Sequence, residues 1–282
     1  MTNRVQRGYR IGDVQLNISA PEFSEADYFA VFRNDSKAAD VSFDIRFKNG
    51  ISEPELPVAH KGIGETWYSD GETNEYTLKN SDDSILLKTS GCGKRFAVEF
   101  DAAHPDYFGT HAVMEAMKLP ELMYEFDALF LHASCIIHDE KAILFTADKQ
   151  VGKSTQAALW EKYMAAETVN GDRALIRKVG GVWRAFGSPY TGTSRICKNK
   201  SAPIAAIVIL GQAPENRIRK ANTREAVAAM MSGASYNLWN RAETEKCFEI
   251  VGRLVSEISF YKLDCLPDKS AVMALNDFMM EN

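Results

Sequence analysis

One segment combines a lysine, two hydroxyls and a glycine at a spacing that suits phosphate binding: Ala147-Asp148-Lys149-Gln150-Val151-Gly152-Lys153-Ser154-Thr155. It follows the apolar stretch Ala142–Thr146 and precedes a stretch from Lys153 to Ala165 with helical character. A tight turn between a strand and a helix directs successive backbone N–H groups at phosphate oxygens, and the helix dipole adds to the attraction for anions. The pattern therefore predicts a nucleotide-binding loop, with Ala147 in place of the usual first glycine.

The predicted contacts with ATP involve the whole loop. Lys153 would reach the β- and γ-phosphates, and the Ser154 hydroxyl would coordinate Mg²⁺. Lys149 and Gln150 stand at positions where Gly and Ser, which restrict the backbone less, are often found. We therefore expect a loop of unusual shape. The alternative is a surface turn that contains Gly-Lys-Ser by chance. The predicted ATP-binding residues are Asp148, Lys149, Gln150, Val151, Gly152, Lys153, Ser154 and Thr155.

The segments around this loop resemble the bacterial HPr kinase/phosphorylase family. The resemblance rests on residues 132–138, on the strand that leads into the loop, and on Asn170-Gly171-Asp172-Arg173 after the loop helix. Gly187-Ser188-Pro189-Tyr190-Thr191-Gly192 is similar to a segment of the stand-alone HPr-kinase-like proteins. The resemblance covers about residues 128–210, and 110–282 more loosely. It implies an α/β P-loop core of the HPr kinase/carboxykinase type.

The same resemblance implies roles for three positions. His132 would lie beside the γ-phosphate, and Asp172 would be the second carboxylate of the family's acidic pair. The first is Gly171 here. Either Asp172 serves as both a Mg²⁺ ligand and the proton acceptor, or the protein binds nucleotide without efficient transfer. Because phosphoryl transfer depends mostly on positioning and charge neutralisation, a missing base is expected to slow the reaction without abolishing it.

Several of these residues also have simpler interpretations. Asp172 could cap a hairpin turn after Asn170-Gly171, and His132 could be a core histidine. Arg195 could clamp a phosphate or a peptide carboxylate, or it could be solvated. The residues predicted to contact the substrate are Arg173, Ser188 and Arg195. A solvated basic face is predicted for Lys198, Lys200, Arg217, Arg219 and Lys220.

The chain divides into two predicted regions, and the second contains all of these residues. Residues 1–108 alternate short apolar stretches with turn signals, which predicts a β-rich, antiparallel N-terminal domain of unknown function. Tyr28–Phe32 is among its predicted strands. Residues 109–282 mix strands and helices and form the predicted HPr-kinase-like nucleotide-binding domain. Here Leu122–Phe130 is spaced as a helix, and Ile204–Leu210 as a strand buried on both faces.

Composition excludes some classes of protein. The 282 residues carry 33 Lys and Arg against 38 Asp and Glu, a formal net charge of −5. No basic stripe is visible, which argues against a dedicated nucleic-acid-binding protein. No apolar run reaches the length of a membrane span, and the residues after Met1 lack the apolar region of a signal peptide. Five scattered cysteines indicate reduced thiols, and with these features we expect a cytoplasmic protein.

Together these features predict an ATP- and Mg²⁺-dependent kinase that phosphorylates a hydroxyl, most directly a serine of a small protein or peptide. Asp172, His132 and Lys153 are the predicted catalytic residues, and Ser154 and Asp172 the predicted Mg²⁺ ligands. The alternative is a nucleotide-binding pseudo-kinase that acts as a regulatory or partner-binding module. A carboxykinase-like reaction is a weaker third interpretation, since no second cluster of Arg and His frames a pocket for a small acid. The acceptor and the formation of homo-oligomers stay open.

Overall fold

The computed structural model describes residues 3–281, except the side chain of Cys92, and the chain divides into two compact units between Leu122 and Met123. The sequence predicts this division after residue 108. The difference arises because helix α2 (Thr110–Met117) packs on the first unit. The Tyr76 hydroxyl lies 3.1 Å from a Glu115 carboxylate oxygen, and Thr89 Oγ1 donates to the Ala116 carbonyl over 2.9 Å. Within residues 3–281, no helix has both the length and the hydropathy needed to span a bilayer.

The first unit contains an eight-stranded sheet with the order β1-β2-β3-β8-β7-β6-β5-β4. The sequence predicts an antiparallel region, but β3 pairs in parallel with both β2 and β8, so the sheet is mixed. The bounds are β1 (Arg4–Ile11), β2 (Val14–Pro21), α1 (Asp27–Ala30), β3 (Val41–Lys48), β4 (Val58–Lys61), β5 (Glu65–Ser69), β6 (Asn74–Lys79), β7 (Ile85–Cys92) and β8 (Arg95–Asp101).

The second unit combines a second eight-stranded sheet with helices. Helix α3 (Leu119–Met123) spans the boundary between the two units. The strands and helices of the second unit are β9 (Ala128–His138), β10 (Lys141–Thr146), α4 (Lys153–Met164), β11 (Glu167–Asn170), β12 (Arg173–Val179), β13 (Val182–Phe186), β14 (Ser201–Gln212), β15 (Arg217–Lys220), α5 (Thr223–Gly233), α6 (Arg241–Glu257), β16 (Ser259–Cys265) and α7 (Lys269–Glu281). The fold is thus a mixed α/β architecture preceded by a β-rich region.

Strand β10 lies at the centre of the second unit. It pairs antiparallel with β9 on one side and in parallel with β14 on the other. Its residues alternate between two cores because successive side chains of a strand point to opposite faces. Ala142 and Leu144 pack in the core that includes residues of α5 and α6, whereas Ile143 and Phe145 pack with residues of α4 and α7. Both faces and both edges of β10 are therefore covered.

Two sequence-based predictions of secondary structure are wrong. The predicted strand Tyr28–Phe32 is replaced by the short helix α1, because Phe29 and Phe32 are three residues apart and both become buried from a helical turn. The predicted helix Leu122–Phe130 ends early. A 3₁₀ turn and a left-handed Asp127, with φ of 53°, lead directly into β9.

Four cysteines, Cys135, Cys197, Cys247 and Cys265, are free thiols. The prediction of a reduced thiol at Cys92 concerns a side chain that lies outside the described part of the structure. The N-terminal segment predicted to lack the apolar region of a signal peptide begins with Met1 and Thr2, which also lie outside it.

Candidate functional site

The segment Ala147–Thr155, here called the 147–155 loop, leads from the end of β10 to the start of α4. Two of its residues have positive φ: Gln150 at 66° and Gly152 at 117°. The value at Gly152 suits only a residue without a Cβ, so this glycine allows the chain to turn into the helix. No side chain caps the helix start, which leaves the first N–H groups of α4 without a side-chain acceptor. The loop thus has the polarity of an anion site.

Lys153 is folded over the loop that precedes it. Its ammonium donates to the carbonyl of Ala147 over 2.9 Å and to that of Asp148 over 3.1 Å, and only 8% of the residue is exposed. Burial lowers the pKa of Lys153, and the carboxylates of Asp172 and Asp148 partly oppose that effect. The two acceptors of this buried ammonium are neutral carbonyls. An anion that approaches the ammonium would therefore stabilise its charge further.

His132 and Asp172 form the other side of the site. His132 Nε2 lies 3.5 Å from Asp172 Oδ1, and each side chain is 33% exposed. Burial is the main cause that lowers the pKa of His132, the charge of Lys153 lowers it further, and Asp172 opposes both. The site therefore favours the neutral form of the His132 imidazole, and with one third of its side chain exposed His132 is not the enclosed core histidine of the simpler interpretation.

The register along β9 brings His132 and Asp172 together. β11 and β12 both pair antiparallel with β9, with Asn170 opposite Cys135 and Arg173 opposite His132. Residues 170–173 are therefore an irregularity between two strands that continue along one edge, and not the hairpin turn of the simpler interpretation. The Asp172 carbonyl accepts from Ala133 N over 3.0 Å, which fixes the backbone next to His132.

Asn170 fixes the backbone around Asp172. It is fully buried, and its Oδ1 accepts from the backbone N–H groups of Asp172 at 2.9 Å and Arg173 at 2.7 Å. Its Nδ2 donates to the carbonyls of Ser188 at 3.0 Å and Tyr190 at 3.1 Å. One amide therefore ties the acidic segment to the segment that contains residues 187–192. In the sequence, Asn170 is only the first residue of the Asn170-Gly171-Asp172-Arg173 segment, and nothing indicates these long-range contacts.

The turn Gly192–Ser194 packs against the acidic segment. A Cβ on Gly171 would lie 2.7 Å from the Cβ of Ser194 and closer still to its hydroxyl, and a Cβ on Gly192 would lie 2.6 Å from Asp172 Cγ. The Ser194 hydroxyl donates to the Thr191 carbonyl over 2.9 Å. Ser194 therefore occupies the space that a side chain at position 171 would need.

The remaining predicted site residues lie in different environments. In the loop, Asp148, Lys149, Gln150, Ser154 and Thr155 are exposed, and Val151 is half-buried. The three residues predicted to contact substrate differ as follows: Ser188 is fully buried with its hydroxyl donating to the Arg173 carbonyl, Arg173 Nε lies 3.9 Å from Asp172 Oδ2, and Arg195 is exposed.

Most of the predicted basic face is paired with carboxylates. Lys198 and Lys200 both contact Glu167, at 3.0 and 2.7 Å. Arg217 and Arg219 contact Glu215 and Glu225. Pairing of this kind favours the solvated interpretation of these cations.

Sequence reasoning missed two glutamines beside the loop. Gln212, at the end of β14, donates to the carbonyls of Gln150 and Val151, each over 3.4 Å. Gln156, in the first turns of α4, is 2% exposed and donates to Cys265 Sγ over 3.2 Å. Nothing in the sequence indicates these contacts, because more than 60 residues separate the partners.

No family model matches the chain, and no curated protein matches it. Among solved structures, the chain is similar to the Hpr(Ser) kinase/phosphatase from Coxiella burnetii, at 14% sequence identity and a TM-score of 0.24. The similarity covers 32% of this chain and 70% of that one. A likeness this weak leaves the chemistry of the site to be argued from its own residues.

Proposed function

We propose that the 147–155 loop binds the phosphates of ATP, and that the protein is a Mg²⁺-dependent phosphotransferase acting on a hydroxyl, most directly a serine of a small protein or peptide. The observation that carries this proposal is the arrangement around Lys153. Its buried ammonium lies at the start of an uncapped helix and bonds to carbonyls of the preceding loop residues. Its charge lowers the pKa of His132, and the carboxylate of Asp172 raises the pKa of Lys153 against the effect of burial.

The donor set fits Mg²⁺. The ion takes oxygen ligands, commonly one or two from the protein beside substrate phosphates and water. The exposed Ser154 hydroxyl and the one-third exposed Asp172 carboxylate supply oxygens of this kind. Bound Mg²⁺ would neutralise charge on the phosphates.

In the proposed reaction, the acceptor oxygen forms a bond to the γ-phosphorus while the bond between that phosphorus and the leaving oxygen of ADP breaks. Asp172 accepts the proton of the acceptor hydroxyl, and the neutral imidazole of His132 orients that carboxylate. Lys153 stabilises the charge that develops on the leaving oxygen. Arg173, next to Asp172, is placed to contact the acceptor.

One observation favours the alternative of a nucleotide-responsive binding module. The first carboxylate of the expected acidic pair is absent, and Ser194 fills the space beside Gly171. Such a site would hold nucleotide with a weakened proton acceptor. Slow or absent transfer beside tight ATP binding would support this second function.

The test is a calorimetric titration of the full chain with Mg-ATP. It compares wild type, Lys153→Met and Lys162→Met. Lys162 lies on the same helix but is exposed in its last turn, which makes it the matched control. We expect Lys153→Met to weaken binding by tenfold or more, and Lys162→Met to bind as wild type does. Equal binding by all three proteins, or no binding by wild type, would overturn the proposal. Transfer of labelled γ-phosphate to peptides then separates the kinase from the binding module.

A further inference from the structure

A pocket of about 570 Å³ opens beside the 147–155 loop. Its volume falls within the range of about 300–1,000 Å³ that is typical of small-molecule sites. The loop, the start of α4 and the ends of β14 and β16 form its walls. The lining residues used below are Gly152, Gln156, Leu210, Gln212, Ala213 and Cys265.

The pocket and the acidic residues lie on different sides of the loop. β10, which ends in the loop, has β9 as one neighbour and β14 as the other. His132 belongs to β9 and Asp172 adjoins β12, whereas the pocket is walled by the ends of β14 and β16. A ligand with phosphates on the loop therefore has the acidic residues at one end and the pocket at the other.

Gln156 brings an unpaired hydrogen-bond acceptor to this pocket. Its Nε2 donates to Cys265 Sγ, while its Oε1 is buried and has no hydrogen-bond partner among residues 3–281. A buried carbonyl oxygen without a partner destabilises the folded protein, because it has lost its hydrogen bonds to water. A ligand that donates an N–H group would remove that destabilisation. The last torsion of a glutamine side chain is soft, so a small turn of the amide presents this oxygen to the pocket.

We infer that this pocket takes the base of the nucleotide, and that Gln156 favours adenine over a purine without an amine, by accepting a hydrogen bond from the exocyclic amine of adenine. The inference rests on the proposed function, since it supposes that the loop holds the phosphates. Apolar contact comes from Leu210 and Ala213, which line the pocket. Gln212 keeps the loop against the end of β14 and so maintains the wall between base and phosphates.

The experiment compares three ligands in the presence of Mg²⁺: ATP, the triphosphate of unsubstituted purine riboside, which lacks the exocyclic amine, and inorganic tripolyphosphate. The proteins are wild type, Gln156→Leu, Ala213→Trp, Lys153→Met and the control Gln6→Leu, an exposed glutamine of β1. Ala213→Trp fills the pocket without altering Gln156, and thermal unfolding verifies that each variant is folded.

We expect wild type to bind ATP about tenfold more tightly than purine riboside triphosphate, and Gln156→Leu to bind both alike. Ala213→Trp should weaken both nucleotides and leave tripolyphosphate unchanged, and Gln6→Leu should match wild type.

Two results would overturn the inference while the proposed function stands: wild type binds ATP and tripolyphosphate equally and through Lys153, or Gln156→Leu keeps the full preference for ATP. If wild type binds none of the ligands, or if Lys153→Met binds all of them normally, the proposed function fails and the inference fails with it.

Discussion

Ser194 occupies the position into which a side chain at residue 171 would project, since a Cβ on Gly171 would lie 2.7 Å from the Cβ of Ser194. Only a residue without a side chain fits at position 171 beside Ser194. The Ser194 hydroxyl also accepts from Ile196 N over 3.3 Å, so the turn that presents it is held in place. Placing a carboxylate at position 171 therefore requires a change at position 194 as well.

The first prediction concerns stability. Gly171→Ala should lower the free energy of unfolding by about 1–3 kcal/mol, because a side chain is forced into filled space. Gly171→Ala combined with Ser194→Gly should lose less than the sum of the two single changes. Urea denaturation of the four proteins measures this coupling. The control is Gly252→Ala in α6, where nothing lies within 4 Å of the new Cβ, so stability should be unchanged or higher. Strict additivity would contradict the prediction.

A second prediction concerns turnover. Gly171→Asp with Ser194→Gly should transfer phosphate at least tenfold faster than Ser194→Gly alone, since general-base contributions are typically about 10²- to 10⁴-fold. Gly171→Asp alone should mainly destabilise the protein. Labelled γ-phosphate release with a peptide acceptor measures the rates. Identical rates for the double variant and Ser194→Gly would show that a carboxylate at position 171 does not speed transfer.

The architecture was more predictable than the geometry of the site. The apolar run before the loop and the helix after it follow from local periodicity, and both are found as β10 and α4. The irregularity at residues 170–173 was not predictable, because Asn-Gly is equally suited to a hairpin, and only the pairing of β11 and β12 along β9 decides between the two. The contact between Gly171 and Ser194 depends on that long-range pairing too. The prediction of a strand at Tyr28–Phe32 was wrong because the segment is short. It has too few apolar residues for their spacing to distinguish one helical turn from a short strand.

A third prediction concerns the pKa of His132. Its pKa should lie below the ordinary value of 6.5, and Lys153→Met should raise it, because a nearby positive charge is removed. Titration of the His132 ring by NMR measures both values. Lys141→Met, an exposed lysine at the start of β10, is the control and should leave the pKa unchanged. A fall in the pKa of His132 in Lys153→Met would contradict this account.

The same shift has a consequence for stability. Since the pKa of His132 is lowered in the folded state, the unfolded chain takes up the proton more readily. The contribution of His132 to stability is therefore present above pH 6.5 and is lost as the pH falls from 6.5 through the folded-state pKa. His132→Gln should reduce the pH dependence of the free energy of unfolding over that interval.

A fourth prediction concerns Asn170. Asn170→Asp keeps an acceptor for the N–H groups of Asp172 and Arg173 but loses the donors to the Ser188 and Tyr190 carbonyls, and it buries a charge. We expect a loss of at least about 3 kcal/mol in the free energy of unfolding. Thermal and urea denaturation measure it. Asn199→Asp, at an exposed position, should stay within about 0.5 kcal/mol of wild type. A loss at Asn170 no larger than at Asn199 would contradict the role given to this amide.

The backbone amides of β10 and those of the loop that follows it should differ strongly in their protection against hydrogen exchange. The β10 amides are bonded into ladders with β9 and β14, and the faces of the strand are covered by two cores, so these amides should open only when the whole second unit unfolds. A few residues later, Lys149 and Gln150 are exposed and lie in a turn outside any strand ladder, so their amides should exchange fast. The slowest and the fastest exchanging amides of this unit should therefore be near neighbours in the chain. A bound phosphate would then appear as a sharp slowing on one side of that boundary.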